Sequence, residues 1–183
     1  MLNCDLHNNK KGRALMAEKR GQAGYDRNYV ALTRRIRVIV GLVALLVVAF
    51  VFVLGAGLSG DEGMKPEFSK GSPVFYLKLD RSWRRGELVY VAMPDGSRAV
   101  RRVIAVKGDT VDVREGLVYI NGLAERGSYS YTRTDPVPGG PSYPLLLKEG
   151  EIFVLGDYRE QAVDSRSFGA LSGGAVLGRV LNG

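Results

Sequence analysis

Few side chains in this sequence can act as nucleophiles, general bases or metal ligands. Cys4 is the only cysteine and His7 the only histidine. Residues 8–183 therefore contain no Ser-His-Asp triad, no Cys-His pair and no zinc site built from these ligands, and we predict neither a metal site nor a cofactor. Hydroxyls at Ser59, Ser69 and Ser72 and amines at Lys65, Lys70 and Lys107 are among the groups in this region that could take part in other chemistry.

The positive charge of the chain is concentrated at one end. Residues 1–37 carry nine basic and three acidic side chains, whereas the rest of the chain carries 17 basic and 16 acidic ones. A nucleic-acid-binding domain needs a basic folded surface. Since the region that can fold is nearly neutral, the sequence argues against nucleic acid as a partner.

Residues 38–60 form an uncharged, strongly apolar segment of 23 residues. About 20 apolar residues are enough for a helix to cross the hydrocarbon layer of a membrane. A cleaved signal peptide has an apolar region of about 7–15 residues close to the N-terminus, which fits this segment less well. We therefore predict a transmembrane helix over residues 38–60 that anchors the protein in the cell membrane.

The charges beside this segment predict its orientation. Arg34, Arg35 and Arg37 precede it, and Asp61 and Glu62 follow it. The positive-inside rule then places residues 1–37 in the cytoplasm as a basic tail and residues 61–183 outside the cell. We expect a single-pass membrane protein with one extracytoplasmic domain.

The extracytoplasmic part has the pattern of a mainly β domain. Short stretches of alternating apolar residues are separated by turn sequences such as Pro94-Asp95-Gly96 and Asn121-Gly122. No segment after residue 60 shows a convincing helical period, so we predict an antiparallel β fold. The predicted strands are Glu87–Met93, Arg98–Val106, Thr110–Val113, Leu117–Ile120 and Glu151–Leu155.

Four segments in this domain resemble, in order, the sequence motifs of type I signal peptidases, the bacterial leader peptidases, in their small Gram-positive form. GMKPEF resembles S-M-x-P-T-L, and RRGELVYVAMP resembles R-G-D-[IV]-V-V-F-x-x-P. RRVIAVKGDTV resembles K-R-V-[IV]-G-L-P-G-D-x-V, and GDYREQAVDSRSFG resembles G-D-N-R-x-x-S-x-D-S-R-x-x-G. The resemblance, which covers residues 38–183, implies a signal-peptidase-type antiparallel β domain tethered by one transmembrane helix. It also implies a serine protease with a Ser-Lys dyad.

All three positions that would carry the chemistry are changed. Gly63 occupies the position of the nucleophilic serine and has no side chain with which to attack a carbonyl. Arg101 occupies the position of the lysine base, and a guanidinium keeps its proton in proteins. Ala162 replaces the second serine, which in the family hydrogen-bonds the lysine amine. No intact catalytic residue is left at the family positions.

The residues that support the site in the family are retained. Met64 and Pro66 keep the turn after the nucleophile position. The resemblance implies one salt bridge between Arg102 and Asp157 and a second between Asp164 and Arg166. A chain that keeps the scaffold and loses the chemistry has the pattern of a pseudoenzyme.

Three functions are compatible with this pattern; one, besides the two described next, is a general membrane-bound scaffold with no specific ligand in the cleft. In the first, the chain resembles the catalytically degenerate members of pilus systems and assists sortase-dependent pilus assembly. It would hold a pilin or other secreted segment in the old cleft by β-strand addition, with Arg101 as a positive charge for an acidic or C-terminal carboxylate. In the second, it is an active signal peptidase that cleaves signal peptides of exported proteins through a relocated pair such as Ser72 and Lys107.

Overall fold

The computed structural model describes residues 32–78, 82–125 and 132–183, together with residue 16. The predicted cytoplasmic tail lies almost entirely outside these residues. Helix α1 spans Leu32–Val53. The strands are β1 Leu54–Leu58, β2 Pro73–Leu77, β3 Leu88–Ala92, β4 Arg98–Ala105, β5 Thr110–Arg114, β6 Leu117–Ile120, β7 Leu123–Ala124, β8 Leu145–Leu146, β9 Glu151–Leu155, β10 Leu171–Ser172 and β11 Val176–Val180. A four-residue helix, α2 (Ser165–Phe168), precedes β10, and a short 3-10 turn (Gly173–Ala175) follows it.

Helix α1 is long and apolar enough to cross a membrane. Its 22 residues make it about 33 Å long at 1.5 Å per residue, and its side chains are exposed along most of its length. The predicted boundaries of residues 38–60 are wrong at both ends, because the helix begins at Leu32 and stops at Val53. The sequence LGAGL that follows is a strand, and its two glycines disfavour a helix and leave room for aromatic rings.

The β domain is antiparallel, as the sequence predicts, and its strands form two sheets. A seven-stranded sheet has the order β1-β2-β11-β3-β4-β9-β10, and a four-stranded sheet has the order β7-β6-β5-β8. The five predicted strands correspond to β3, β4, β5, β6 and β9, with ends that differ by at most one residue. The alternating apolar side chains of these strands fill the core, which is why their periodicity could be recognised.

The core cluster that matters for the site lies between β2, β3 and β4. It contains Met64, Phe68, Val74, Tyr76, Leu88, Tyr90 and Val100, all buried. Met64 and Phe68 come from the turn after β1, where the N–H of Phe68 donates to the carbonyl of Met64 at 3.0 Å. The two buried side chains therefore hold this turn against the sheet, and Gly63, next to Met64, has a fixed position.

Candidate functional site

The three positions identified from the sequence come together in space. Gly63 lies in the turn after β1, Arg101 lies on β4, and Ala162 lies in the loop before α2. A Cβ atom built on Gly63 would lie 3.0 Å from both Cα and Cβ of Ala162 and 3.3 Å from Cζ of Arg101. A spacing this close leaves no room for a serine side chain at Gly63 unless a neighbour moves. The site is a contact between two small residues and one guanidinium.

The backbone of Gly63 is hydrogen-bonded on both sides. Its N–H donates to Oδ1 of Asp61 at 3.0 Å, and its carbonyl accepts from the N–H of Tyr158 at 2.9 Å. Gly156 lies against the same residue, since a Cβ on Gly156 would lie 2.5 Å from the Gly63 carbonyl oxygen. The turn that carries the nucleophile position is thereby joined to the loop that carries Ala162.

Arg101 is completely buried, and every N–H of its guanidinium has an acceptor. Nε donates to the carbonyl of Val163 at 3.0 Å, and Nη2 donates to the same carbonyl at 2.7 Å. Nη1 donates to the carbonyl of Val100 at 2.6 Å and to Oδ1 of Asp61 at 3.1 Å. Nη2 also pairs with Oδ2 of Asp61. A guanidinium has five N–H donors, and these contacts use all five.

This geometry corrects one expectation from the sequence. Arg101 was expected to offer a positive charge to a carboxylate of a bound partner, yet its side chain has 0% exposure and its charge is already neutralised by Asp61. Taking a charge out of water is costly, and a buried arginine therefore needs a carboxylate and a full set of acceptors from its own chain. The prediction of a free carboxylate-binding group at Arg101 is wrong.

Asp61 is the residue of the site that sequence reasoning missed. In the sequence its charge serves only to orient the membrane segment. Its position two residues before Gly63 does not indicate that it pairs with Arg101, which lies 40 residues further along the chain. The available signal was the arginine itself, because a buried guanidinium implies a carboxylate nearby. Asp61 retains 31% exposure and so forms the solvent-facing side of the ion pair.

The two salt bridges implied by the resemblance are present. Nε and Nη2 of Arg102 lie 2.9 and 2.5 Å from the carboxylate oxygens of Asp157, and its Nη1 donates to the carbonyl of Gly86. Asp164 pairs with Nε of Arg166 at 2.9 Å and also accepts from the backbone N–H groups of Arg166 and Gly156. These contacts fix the loop around Ala162.

Two further contacts support the same loop. Met64 is fully buried, and its sulfur accepts from the N–H of Asp157 at 3.4 Å, whereas Pro66 is exposed at the surface of the turn. Arg159, which sequence reasoning did not single out, is 3% exposed and donates to the carbonyl of Gly156 and to Oγ1 of Thr134. Burial lowers the pKa of Arg159, and the nearby Asp164 opposes this effect.

The proposed rescue pair, Ser72 and Lys107, does not form. Ser72 lies beside the start of β4, because Ser59 bonds to Ser72 and the next residue, Gly60, bonds to Arg98. Lys107 lies two residues beyond the other end of β4 and nine residues after Arg98, which corresponds to about 30 Å along the strand at about 3.3 Å per residue. Its amine lies 2.8 Å from Oε2 of Glu149 at an exposed position.

The other candidate hydroxyls and amines have different partners. The Ser59 hydroxyl donates to the carbonyl of Asp61, the Ser72 hydroxyl accepts from the N–H of Ser69, and the Lys65 amine pairs with Glu62. Lys70 is exposed. Among the described residues, no cluster of three or more histidine, cysteine or acidic side chains is suited to a metal ion. Thus neither the Ser59 nor the Ser72 hydroxyl is bonded to the amine of Lys65 or Lys107.

Comparison with known protein families places this geometry in context. Residues 32–182 match the model of the family described as "Signal peptidase, peptidase S26". The chain belongs to the signal peptidase family. Its N-terminal helix and its β domain both lie within the matched range, so the family resemblance predicted from the four motifs is confirmed.

Two relatives agree with this assignment in sequence. The chain is 32% identical to a signal peptidase I of Bacillus licheniformis over 71% of this chain and 74% of that protein. It is 26% identical to signal peptidase IB of Staphylococcus aureus over 79% of this chain and 84% of that protein. It is also similar to a crystal structure of a signal peptidase I from Enterococcus faecalis, with 31% identity, a TM-score of 0.46, and coverage of 55% of this chain and 97% of that one. The protein is a signal peptidase I homologue.

Proposed function

We propose that this protein is a non-proteolytic member of the signal peptidase family, anchored in the cell membrane, that binds a segment of a secreted protein without cutting it. The observation that supports this proposal most directly is the buried ion pair between Arg101 and Asp61 at the position of the general base. It fills the place where a Ser-Lys protease needs a neutral amine. A pilin handled by a sortase is the partner class that the resemblance to degenerate pilus-associated members suggests.

The chemistry of the ion pair argues against proteolysis in two ways. A general base must lose its proton before it can take one from a hydroxyl, and a guanidinium does not do so in proteins. The carboxylate of Asp61 also occupies donors of this guanidinium, so the group at the position of the base is already paired within the chain. Gly63 and Ala162, in contact beside this pair, supply no hydroxyl.

The proposed topology rests on charge and on helix α1. Arg34, Arg35 and Arg37 lie within the first turns of the helix, and Asp61 and Glu62 follow the strand after it. The positive-inside rule places the basic end in the cytoplasm and the β domain outside. A domain in this location meets exported proteins as they leave the membrane, which suits the proposed partner.

Active proteolysis by a relocated pair is the alternative, and family membership is what favours it. Signal peptidase I is the name of several relatives, and the scaffold around the site is intact. The contacts of Ser59, Ser72, Lys65 and Lys107 weigh against it, because none of these hydroxyls is bonded to one of these amines. The first proposal therefore has the stronger support.

The decisive experiment is a cleavage assay on the full chain in detergent micelles. The substrate is a synthetic signal peptide with an Ala-X-Ala motif, and the variants replace Ser59, Ser69 and Ser72 singly by alanine. We expect no cleavage by any of them. Cleavage by the unmodified chain that one of these alanine variants abolishes would identify a nucleophile and overturn the proposal.

An experiment in cells tests the binding role. The gene is deleted in its native host, and both the processing of exported proteins and their assembly on the cell surface are measured. We expect that assembly is impaired, that signal-peptide processing is unchanged, and that the unmodified gene and the alanine variants restore assembly equally. Precursor accumulation after the deletion would instead indicate a processing enzyme.

A further inference from the structure

The open edges of two strands, β1 and β4, meet beside Gly63. At the two ends of β1, the backbone groups of Val53 and Ser59 are hydrogen-bonded to the neighbouring β2 side. In an antiparallel pair such bonds alternate along the strand, so the backbone groups of the odd-numbered residues of β1 bond to β2. The backbone N–H and C=O groups of its even-numbered residues therefore face away from β2. Along β4, the backbone bonds between Glu87 and Val103 and between Met93 and Ser97 show that the odd-numbered residues bond to β3. β9 pairs with β4 only from Arg102 onward. The backbone groups of Arg98 and Val100 on β4, and those of Leu58 and Gly60 at the end of β1, therefore face a common slot.

Internal donors already occupy the acceptors in this slot. The N–H of Gly60 donates to the carbonyl of Arg98 at 2.9 Å, which joins the two edges directly. The hydroxyl of Tyr90 donates to the carbonyl of Leu58 at 2.8 Å, and Arg101 Nη1 donates to the carbonyl of Val100 at 2.6 Å. An added strand recognises an edge through its free N–H and C=O groups. Three carbonyls that such a strand would use are not free.

Side chains fill the space behind the slot. A Cβ on Gly60 would overlap the carbonyl oxygen of Arg98, so glycine is what allows the two backbones to approach. A Cβ on Gly57 would lie 2.5 Å from the Tyr90 hydroxyl oxygen, and the ring of Tyr76 lies against Gly55 in the same way. The two tyrosine rings have centroids 5.0 Å apart and are buried. The glycines of β1 thus accommodate the protein's own aromatic rings.

We infer that the slot between β1 and β4 is closed and does not accept an extended peptide. Two hydrogen bonds close it, one from the N–H of Gly60 to the carbonyl of Arg98 and one from the hydroxyl of Tyr90 to the carbonyl of Leu58. We call the closed slot the seam and the Tyr90 bond its latch. This inference deepens the proposed function, on which it rests, because it excludes the slot beside Gly63 as the place where the secreted partner binds. Burial raises the pKa of Tyr90, so its hydroxyl remains a donor at physiological pH. Arg101, which lies on β4 between Val100 and Arg102, is fully buried.

Hydrogen exchange at the Gly60 amide, followed by NMR on the full chain in detergent micelles, tests the seam directly. The probe ligand is an extended peptide with a central Ala-X-Ala motif and a photo-reactive group. We expect a Gly60 amide that exchanges far more slowly than in an unstructured peptide, no change in that rate on adding the peptide, and no crosslink to residues 56–60 or 97–101. Unprotected exchange at Gly60, or a crosslink to either segment in the unmodified chain, would overturn the inference.

The latch is tested by Tyr90→Phe, with Tyr119→Phe as the matched control because Tyr119 lies on the other sheet beneath Arg114. Loss of one neutral hydrogen bond should raise the exchange rate at Gly60 about fivefold in Tyr90→Phe and leave it unchanged in Tyr119→Phe. Equal rates in the two variants would show that Tyr90 is not the latch. Fast exchange at Gly60 would refute the seam alone, whereas cleavage by the unmodified chain would refute the proposed function.

Discussion

Restoring the Ser-Lys chemistry of this site requires the removal of Asp61 as well as the three family substitutions. The triple variant Gly63→Ser, Arg101→Lys, Ala162→Ser places a lysine beside the carboxylate that now pairs with Arg101. That carboxylate stabilises the ammonium form, whereas the general base must be neutral. We expect the triple variant to be nearly inactive and the quadruple variant, with Asp61→Asn added, to gain activity.

The size of the effect follows from the geometry. Two unit charges about 4 Å apart attract by about 4 kcal/mol at an effective dielectric constant of about 20. Because Asp61 is 31% exposed, we take about half of this value, or about 2 kcal/mol, after allowing for solvent screening. This corresponds to about 1.5 pKa units at the introduced lysine, and to about 30-fold less neutral amine. Asparagine retains an oxygen that can accept from the N–H of Gly63.

The assay is the burst of p-nitrophenol from p-nitrophenyl acetate, which needs no peptide slot. The burst rate is followed from about pH 6 to about pH 9, with the unmodified chain as the background. The inflection of the quadruple variant should lie about 1.5 pH units below that of the triple variant. Adding Glu62→Gln to the triple variant is the matched control, since Glu62 pairs with Lys65 and not with Arg101. Identical rates and inflections in the triple and quadruple variants would refute the role assigned to Asp61.

Three other changes have outcomes that the structure predicts. Asp61→Ala leaves a fully buried guanidinium without its carboxylate and should lower the free energy of unfolding by about 3 kcal/mol. The control Glu62→Ala should change it by less than about 0.5 kcal/mol. Chemical denaturation measures both, and equal losses in the two variants would contradict the role of Asp61. Gly57→Ala should destabilise by about 1–3 kcal/mol, because the new methyl group meets the Tyr90 hydroxyl, and pairing it with Tyr90→Phe in a double-mutant cycle should recover part of the loss. Burial raises the pKa of Tyr143 from 10.0 to about 12, and a raised pKa in the folded state means stability that is intact below pH 10 and is lost as the pH rises towards 12. Its buried hydroxyl has no hydrogen-bond partner among the described residues, so Tyr143→Phe should be at least as stable at neutral pH and should lose less stability in an alkaline titration. A variant that loses as much as the parent would refute this.

The sequence revealed the strands because each carries its own signal. β3, β4, β5, β6 and β9 alternate apolar and polar residues or form short apolar runs between turns, and these patterns depend only on neighbours along the chain. The end of helix α1 differs from the prediction because LGAGL continues the uncharged segment without a charged or polar side chain. Only its pairing with β2 shows that it is a strand.

The site was predictable in composition but not in contacts. Gly63, Arg101 and Ala162 could be located because they fall at fixed places in motifs, and the structure brings them within van der Waals contact. Asp61 and the contact between Gly60 and Arg98 join residues about 40 positions apart, and no local pattern encodes such pairs. The expected role of Arg101 failed for the same reason.

The crowding around Gly63 also bears on the evolutionary history of this chain. A serine introduced first would meet Ala162 and the guanidinium of Arg101, and a lysine introduced first would remain paired with Asp61. Each of these two changes alone therefore lowers stability or leaves the new amine paired, and neither supplies a hydroxyl together with a neutral amine. The ion pair makes the effect of one substitution depend on the others, which is epistasis among Gly63, Arg101 and Asp61.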